Sequence, residues 1–413
     1  MKLMVSGLTR LRGQVMVSAS KNAILPILAA SMLSSGTVVI KRVPIIRDVH
    51  IISALIHQMG LKVEYDQDKL TISGTPQHNV PDYELSRQIR ASFLLMGPLL
   101  ARRGEVQISL PGGCAIGTRP IDLHLKGFEA LGATIKMTGG CVIAAARKLQ
   151  GNHIYLDFPS VGATENIMMA AALAKGTTYI ENAALEPEVV DLASFINSMG
   201  GRISSAGSNV IKIEGVASLG DTTYTPIPDR IEAGTYMVAA AASGGDVMIN
   251  NVIPEHLKAT TAKLIESGAQ VEELADSIHV SRWQDIKPVY IKTLPYPGFP
   301  TDMQAQFMAY LCSARGSSIV TESVFENRFM HVSQLLRMGA QITTEGRTAV
   351  IRGVPQLSGA TVKATDLRAG AALLIAAITA NGQTIIEDSE HIDRGYENIV
   401  SKLNSLGANI YHI

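Results

Sequence analysis

The segment Leu406-Gly407-Ala408-Asn409-Ile410 has five counterparts in the chain. They are Met59-Gly60-Leu61-Lys62-Val63, Leu131-Gly132-Ala133-Thr134-Ile135, Met199-Gly200-Gly201-Arg202-Ile203, Ser267-Gly268-Ala269-Gln270-Val271 and Met338-Gly339-Ala340-Gln341-Ile342. A glycine just past a periodic apolar run caps a helix, and the β-prone residues behind it start a strand. The six glycines lie 72, 68, 68, 71 and 68 residues apart. A second series, Gly36, Gly104, Gly176, Gly245, Gly316 and Gly382, follows six Ala-rich helical segments and precedes strands such as residues 37–40 and 384–387. Two series that keep step along the whole chain define six repeats of about 70 residues, longer than solenoid units, so each repeat is a small α/β subdomain.

Working outward, each repeat reads strand, helix, strand, helix, strand, strand. In the first these are residues 15–17, 22–34, 38–41, 48–59, 61–65 and 70–73. The Ala-rich helix is apolar nearly all round and belongs at a domain centre, whereas the second helix is amphipathic and belongs outside. The closing strand has its own signature, as in Leu70-Thr71-Ile72-Ser73-Gly74, Ile211-Lys212-Ile213-Glu214-Gly215 and Ala349-Val350-Ile351-Arg352-Gly353. The sixth repeat lacks one, and Leu3-Met4-Val5-Ser6-Gly7 matches it. The chain is therefore expected to return its first strand to its last repeat. That gives one domain of residues 21–229 and another of 1–20 plus 230–413, with crossings near Ser20 and Asp229. Six independent beads are the alternative, disfavoured because no Pro/Gly/Ser linker separates the repeats.

The 36 basic and 36 acidic side chains balance, which gives no basis for a nucleic-acid or membrane-surface partner. Mean hydropathy is +0.19, but the apolar runs fall short of the roughly 20 residues of a membrane span. Arg10 and Arg12 precede any long apolar region, which argues against a signal peptide. Cys114, Cys141 and Cys312 are few and widely spaced, as in a reducing cytoplasm, and have no zinc-ligand spacing.

One loop stands out: Pro111-Gly112-Gly113-Cys114-Ala115-Ile116-Gly117-Thr118-Arg119-Pro120. Its glycines allow close backbone approach to a ligand, and Arg119 can fork onto a phosphate or carboxylate. Cys114 is either a reactive thiol beside an anion site or a buried cysteine in a glycine turn. The interval Gly104 to Gly132 is 28 residues, against 23 to 25 in the other repeats, so this repeat carries an insertion that the fold does not need.

The central helices are expected to begin at Lys21-Asn22, Arg90-Ala91-Ser92, Thr164-Glu165-Asn166, Arg230-Ile231-Glu232, Asp302-Met303-Gln304 and Asp366-Leu367-Arg368. Gathered helix N-termini form an anion site. Asp302 and Asp366 also fit ordinary helix caps. Cations at a helix start oppose its dipole, so Lys21, Arg90 and Arg394 call for an anion or an acidic partner; Arg230 has Asp229 or Glu232 for that purpose. The stretches Phe299-Pro300-Thr301-Asp302-Met303-Gln304, Thr321 to Met330 and His391-Ile392-Asp393-Arg394-Gly395-Tyr396 are denser in polar and aromatic residues than their repeat partners.

With Ser20-Lys21-Asn22-Ala23, Arg90-Ala91-Ser92, the 111–120 loop followed by Ile121-Asp122-Leu123-His124, and Asp366 to Ala369, these motifs make the whole chain resemble the UDP-N-acetylglucosamine 1-carboxyvinyltransferases. The sister 5-enolpyruvylshikimate-3-phosphate synthases share the sixfold fold but lack the Pro-Gly-Gly-Cys loop. The resemblance implies a two-domain inverted α/β barrel (α/β prism) with three repeats per domain and the active site in the cleft between. It implies enolpyruvyl transfer from phosphoenolpyruvate to the 3′-hydroxyl of UDP-N-acetylglucosamine, in the cytoplasm, with no cofactor and no metal. Cys114 would be the general acid, Asp302 the base, and Lys21, Arg119 and Arg394 the phosphate clamp. Asn22 and Arg368 would orient ligands and Arg90 would contact the sugar nucleotide. Pro120, Ile121, Asp122 and Leu123 would hold the uridine end with Arg119, and Val324 the sugar. Some members carry Lys before Ser-Val-Gly in the nucleotide loop, where this chain has Phe158-Pro159-Ser160-Val161-Gly162. Another enolpyruvyl transferase with a different acceptor, or a non-catalytic regulatory paralogue, are the alternatives.

Overall fold

The computed structural model describes residues 1–110 and 121–413; the loop 111–120, with Cys114, Arg119 and Pro120, lies outside the described residues. The chain divides into two units. One comprises Met1–Ser18 and Pro228–Ile413, and the other takes the described residues between Ala19 and Ile227. Buried apolar side chains form a separate cluster in each.

Each repeat builds one small sheet. In the unit containing Pro228–Ile413, the sheets run Gln270–Glu273, Ser277–Ser281, Asp246–Asn250, Arg12–Met16; then Tyr290–Lys292, Ser317–Thr321, Thr348–Arg352, Gln341–Glu345; then Thr361–Lys363, Gln383–Glu387, Lys2–Ser6, Asn409–His412. The strand Lys2–Ser6 is antiparallel to both neighbours, with Leu3 opposite Ile386 and His412, so it supplies the missing closing strand. In the other unit the sheets are Thr222–Tyr224, Thr37–Ile40, Lys69–Ser73, Lys62–Asp66; then Ile203–Ser204, Val210–Glu214, Thr177–Glu181, His153–Tyr155; and the three-stranded Glu105–Ser109, Cys141–Ala145, Thr134–Thr138.

The leading strands correct one expectation. The strand Arg12–Met16 does not join its own repeat but pairs in parallel with Asp246–Asn250 of the fourth. Conversely Thr222–Tyr224, ahead of the fourth repeat, pairs in parallel with Thr37–Ile40 of the first. The first and fourth repeats thus exchange leading strands, which is why the chain changes unit at Ser18–Ala19 and again at Ile227–Pro228.

All six glycines of the first series have positive φ, from 89° at Gly339 to 100° at Gly200, as a left-handed helix cap requires. Three of the closing-strand glycines answer a different need, whereas Gly74 has a positive φ of 100°. A Cβ at Gly7, Gly215 or Gly353 would stand 1.8, 1.7 or 1.6 Å from the carbonyl oxygen of Ala380, Ala174 or Ala314. Their N–H groups donate to the Gly382, Gly176 and Gly316 carbonyls at 3.0, 3.0 and 2.9 Å, so the second glycine series accepts the strand that the signature closes.

The Ala-rich helices lie at the centres. In one unit Arg230–Ala242, Gln304–Leu311 and Leu367–Thr379 pack against one another. In the other, Met96–Arg103 packs on Val161–Ala171, while Lys21–Ser31 packs on the 3-10 segment Arg90–Leu95 and on the helix Pro187–Ser198. The small Ala side chains let the helices approach, and each Ile, Leu or Met fully buried among them contributes roughly 1.5–3 kcal/mol. The third central helix opens at Val161, three residues before the expected Thr164, because the Ser160 hydroxyl accepts from the Ala163 N–H. No helix among the described residues is long and apolar enough to cross a membrane.

The two glycine roles separate experimentally. Gly353→Ala forces a methyl into a carbonyl and is expected to cost about 2 kcal/mol or more. At Gly339 nothing stands within 4 Å of a Cβ, so Gly339→Asn, which tolerates positive φ, should stay within about 1 kcal/mol of the parent. Urea midpoints of the two variants test the ranking.

Candidate active site

The candidate residues fall on both units: Lys21, Asn22, Arg90 and Ile121 to Leu123 on one, Asp302, Val324, Arg368 and Arg394 on the other. Lys21, Arg90, Asp122 and Arg368 lie at helix starts, whereas Val324 lies in a turn and Arg394, expected at a helix start, ends its 3-10 segment.

Asp302 sits in the 3-10 turn Thr301–Met303 that leads into Gln304–Leu311. Among the described residues its carboxylate accepts from guanidinium groups and not from helix N–H groups. Oδ1 accepts from Arg328 Nη2 at 2.7 Å and Oδ2 from Arg368 Nη2 at 2.9 Å. The guanidinium side chains are 6% and 5% exposed, whereas the Asp302 side chain keeps 26% exposure, so the acid faces outward between two buried cations. Burial opposes its ionisation, yet the fields of Arg368 and Arg328 and the hydrogen bonds from both hold the carboxyl well below the usual carboxylate range. Asp366, by contrast, is a cap: its Oδ1 accepts from the Arg368 and Ala369 N–H groups at 2.9 and 3.0 Å, which fixes the start of the helix that carries Arg368.

Aromatic rings back both cations. Arg328 lies 5.2 Å over the Phe325 ring and Arg368 lies 5.4 Å over Tyr396. The Tyr396 hydroxyl is 2.9 Å from Thr235 Oγ1 and accepts from Gln306 Nε2 at 3.3 Å; that amide also donates to the Asp302 carbonyl at 2.9 Å. Arg394 ends the 3-10 segment Ser389–Arg394 and is half-buried. Val324 is half-buried in the turn after the strand Ser317–Thr321, its N–H donating to Glu322 Oε1 at 2.8 Å.

In the other unit, Lys21 opens the helix Lys21–Ser31 and finds the acidic partner that its position demands: Nζ lies 2.9 Å from Asp48 Oδ2, with side chains 13% and 3% exposed. Pro26 inside this helix removes the N–H that would otherwise bond the Asn22 carbonyl, in the helix's first turn. Arg90 opens the 3-10 segment Arg90–Leu95 and is half-buried. Ile121 precedes the helix Asp122–Ala130; Ile121 is buried, Asp122 exposed and Leu123 half-buried. Ser160 caps the helix that follows Phe158-Pro159.

His124 joins these pieces. Its ring meets Phe93 edge-on at 5.1 Å, and its Nδ1 accepts from Asn166 Nδ2 at 3.1 Å. The same amide donates to the Phe93 carbonyl at 2.9 Å, while Asn166 Oδ1 accepts from the Gly97 N–H at 2.7 Å. Burial, and then the field of Arg90, push the His124 pKa down to about 3, so the ring is neutral. Glu165 nearby on the same helix as Asn166 is also buried; burial, then Glu188 and Glu186, hold its carboxyl well above the ordinary value.

Asp302 and Arg368, both marked by sequence motifs, are in direct contact. Arg328, Glu322 and Asn166 are not marked as site residues by any motif, and their buried partners reveal them. The polar density of the Thr321 to Met330 stretch was the signal for the first two.

Neutral His124 has a stability consequence. The unfolded chain takes up a proton near pH 6.5 that the native ring refuses until about pH 3. The stabilisation is fully present above about 6.5 and is lost as pH falls, by up to roughly 1.4 kcal/mol per pH unit. His331, 2% exposed and lowered to about 4 by burial, adds to the same slope. Urea midpoints between pH 6.5 and 4 should fall less steeply for His124→Gln than for the parent.

The EPSP synthase (3-phosphoshikimate 1-carboxyvinyltransferase) family matches residues 5–403. A UDP-N-acetylglucosamine 1-carboxyvinyltransferase of Caldanaerobacter subterraneus subsp. tengcongensis is 56% identical over 410 residues, covering 99% of each chain. One from Finegoldia magna is 55% identical over 408 residues, covering 98% of this chain and 96% of its own. Among solved structures, the enolpyruvyl transferase NikO from Streptomyces tendae superposes with a TM-score of 0.90 at 25% identity, covering 99% and 98% of the two chains. An EPSP synthase from Acinetobacter baumannii, 19% identical over the full length of both, shares the fold at a TM-score of 0.78. With the motifs, the sixfold fold and these full-length likenesses together, the chain belongs to the EPSP synthase family.

Proposed function

We propose that the chain transfers the enolpyruvyl group of phosphoenolpyruvate to the 3′-hydroxyl of UDP-N-acetylglucosamine. The products are UDP-N-acetyl-3-O-(1-carboxyvinyl)-glucosamine and phosphate, in the first committed step of peptidoglycan synthesis in the cytoplasm. The observation that carries this reading is 56% identity along 99% of both chains to a transferase named for that reaction. Paired acid and cations at the helix starts support it.

The reaction is an addition followed by an elimination. In the addition, Cys114 gives a proton to the methylene carbon of phosphoenolpyruvate, C2 becomes electrophilic, and the sugar oxygen bonds to it as its proton passes to Asp302. In the elimination, the methyl group formed returns a proton to the Cys114 thiolate left by the addition, the C2–O bond to phosphate breaks with phosphate leaving, and the enol double bond returns. Lys21, Arg119 and Arg394 hold the phosphate and stabilise the charge of the tetrahedral intermediate. Asn22 and Arg368 orient the ligands. Arg90 contacts the sugar nucleotide, residues 119–123 hold its uridine end, with Asp122 accepting from uracil, and Val324 contacts the sugar.

The low proton affinity of Asp302 sets the timing. A carboxylate held by two guanidinium groups is a weak base towards a free alcohol. It accepts the proton only as the new C–O bond makes that oxygen acidic, and the anionic substrates raise its affinity by drawing on the same cationic field. Proton transfer therefore accompanies C–O bond formation instead of preceding it.

Phosphate release from phosphoenolpyruvate should depend on UDP-N-acetylglucosamine, not on shikimate 3-phosphate, and Cys114→Ala should lower it by about 100-fold or more. Release with shikimate 3-phosphate alone would identify a different acceptor, and no release with either would leave a non-catalytic paralogue. Activity should fall at alkaline pH as the thiol ionises, and the phosphonate epoxide fosfomycin should inactivate the parent but not Cys114→Asp, which retains acid chemistry without sulfur. A rate flat to about pH 9 would count against Cys114 as the acid.

A further inference from the structure

Glu322 is 1% exposed and lies one residue beyond the strand Ser317–Thr321, where the proposed base and sugar contact share a carboxylate. Its Oε1 accepts from Thr293 Oγ1 at 2.8 Å and from the Val324 and Phe325 N–H groups at 2.8 and 3.1 Å. Its Oε2 accepts from Thr301 Oγ1 at 2.8 Å. Thr301 Oγ1 in turn accepts from Arg328 Nη1 at 2.9 Å, and Arg328 Nη2 donates to Asp302 Oδ1.

We infer that Glu322 is a positioning residue for the transfer reaction, holding Asp302 through Thr301 and Arg328 and holding Val324 through its backbone N–H; this rests on the reading of Asp302 as the proton acceptor. The polarity of the relay carries the inference. A threonine hydroxyl has one proton to donate and two lone pairs. The Glu322 carboxylate, which can only accept, takes that proton and turns the lone pairs towards Arg328. With a hydroxyl proton facing it, the guanidinium would lose its acceptor and its fixed orientation, and Asp302 would lose one of its two clamps. Charge-assisted links are the strong members of such a chain, and a relay with every group satisfied has one geometry. The same carboxylate orders the Val324-Phe325 backbone, and Phe325 is the ring beneath Arg328.

The charged and titratable groups around the relay are known among the described residues. Asp302 faces Arg328 and Arg368; Asp229 and Tyr396 act on Arg368, and His331 lies between the fields of Arg328 and Asp366. Loosening Arg328 leaves Arg368 as the single clamp on Asp302 and raises its proton affinity.

Two nearly isosteric changes test the relay by turnover of phosphoenolpyruvate with UDP-N-acetylglucosamine. Thr301→Val should lower kcat about tenfold or more with KM for the sugar nucleotide within about twofold, and Thr301→Ser should recover most of that loss. Glu322→Gln should lower kcat similarly and also raise KM for the sugar nucleotide severalfold, because the Val324 backbone is released. In both, the acid limb of the kcat–pH profile should move to higher pH. A role confined to folding would reduce the active fraction without moving that limb. Folded Thr301→Val and Glu322→Gln with parental kcat and acid limb would overturn the inference, and Thr301→Val alone decides if Glu322→Gln does not fold. Asp302→Asn separates the two levels. If it is inactive while the relay variants are parental, only the positioning role falls; if it turns over at the parental rate, the base assignment falls and takes the relay with it.

Discussion

The exchange of two leading strands governs the architecture. A strand with unpaired N–H and C=O groups must find an edge, and parallel pairing requires an edge running in its own direction. Arg12–Met16 finds it beside Asp246–Asn250, and Thr222–Tyr224 finds it beside Thr37–Ile40. Each pairing commits a strand to the unit opposite its own repeat, so among the described residues six similar repeats sort into two units with two crossings. The crossings are anchored by short backbone bonds, from the Ser20 N–H to the Ile227 carbonyl at 2.8 Å and from the Asp229 N–H to the Ser18 carbonyl at 2.9 Å. Next to them, Glu232 is buried and receives the Lys402 ammonium and the Ser18 N–H at 2.7 and 2.8 Å, so the first unit grips the chain on both sides of the change.

The same construction explains the chemistry at the helix starts. A central helix must be apolar to be buried, and its first turn is the one place where charge is tolerated. Positive groups there oppose the helix dipole and are met by acids, as Lys21 is by Asp48 and Arg368 by Asp302, which also takes Arg328 from the irregular turn ahead of Val332–Arg337. Where no such pairing is available, burial works against the charge instead, lowering the His124 pKa to about 3 and raising that of Glu165. The candidate residues of each unit thus include pre-formed ion pairs, Lys21 with Asp48 in one and Arg328 and Arg368 with Asp302 in the other.

Much of this was legible in the residues because glycine spacing reports backbone geometry directly. The first series read as left-handed caps and has positive φ throughout; the closing signature placed Lys2–Ser6 in the last sheet, where it pairs on both sides. The expected bounds 21–229 and 1–20 plus 230–413 put the leading strands in opposite halves, but their sheet partners were not legible, since a leading strand carries the same alternation whichever sheet receives it. Asp302 illustrates a second limit. An aspartate ahead of a helix looks the same whether it caps N–H groups, as Asp366 does, or pairs with guanidinium groups brought from residues 328 and 368. Glu322 and Arg328 belong to an irregular turn, where no periodicity marks a buried side chain. Cys114, Arg119 and Pro120 stand on motif and resemblance alone, outside the described residues.

The strand Lys2–Ser6 has a consequence for how the molecule is made. It sits between Gln383–Glu387 and Asn409–His412, so it is translated long before its partners. At usual rates of synthesis the wait is on the order of tens of seconds. During that time the unit running from Ala19 to Ile227, whose sheets are built from strands within that stretch, can fold as it emerges. The apolar, β-prone start of the chain must meanwhile stay unpaired and unaggregated beside a finished neighbour. Synthesis order thus makes one half of this two-part molecule a spectator to the other, and concentrates the hazard of misassembly in a few early residues.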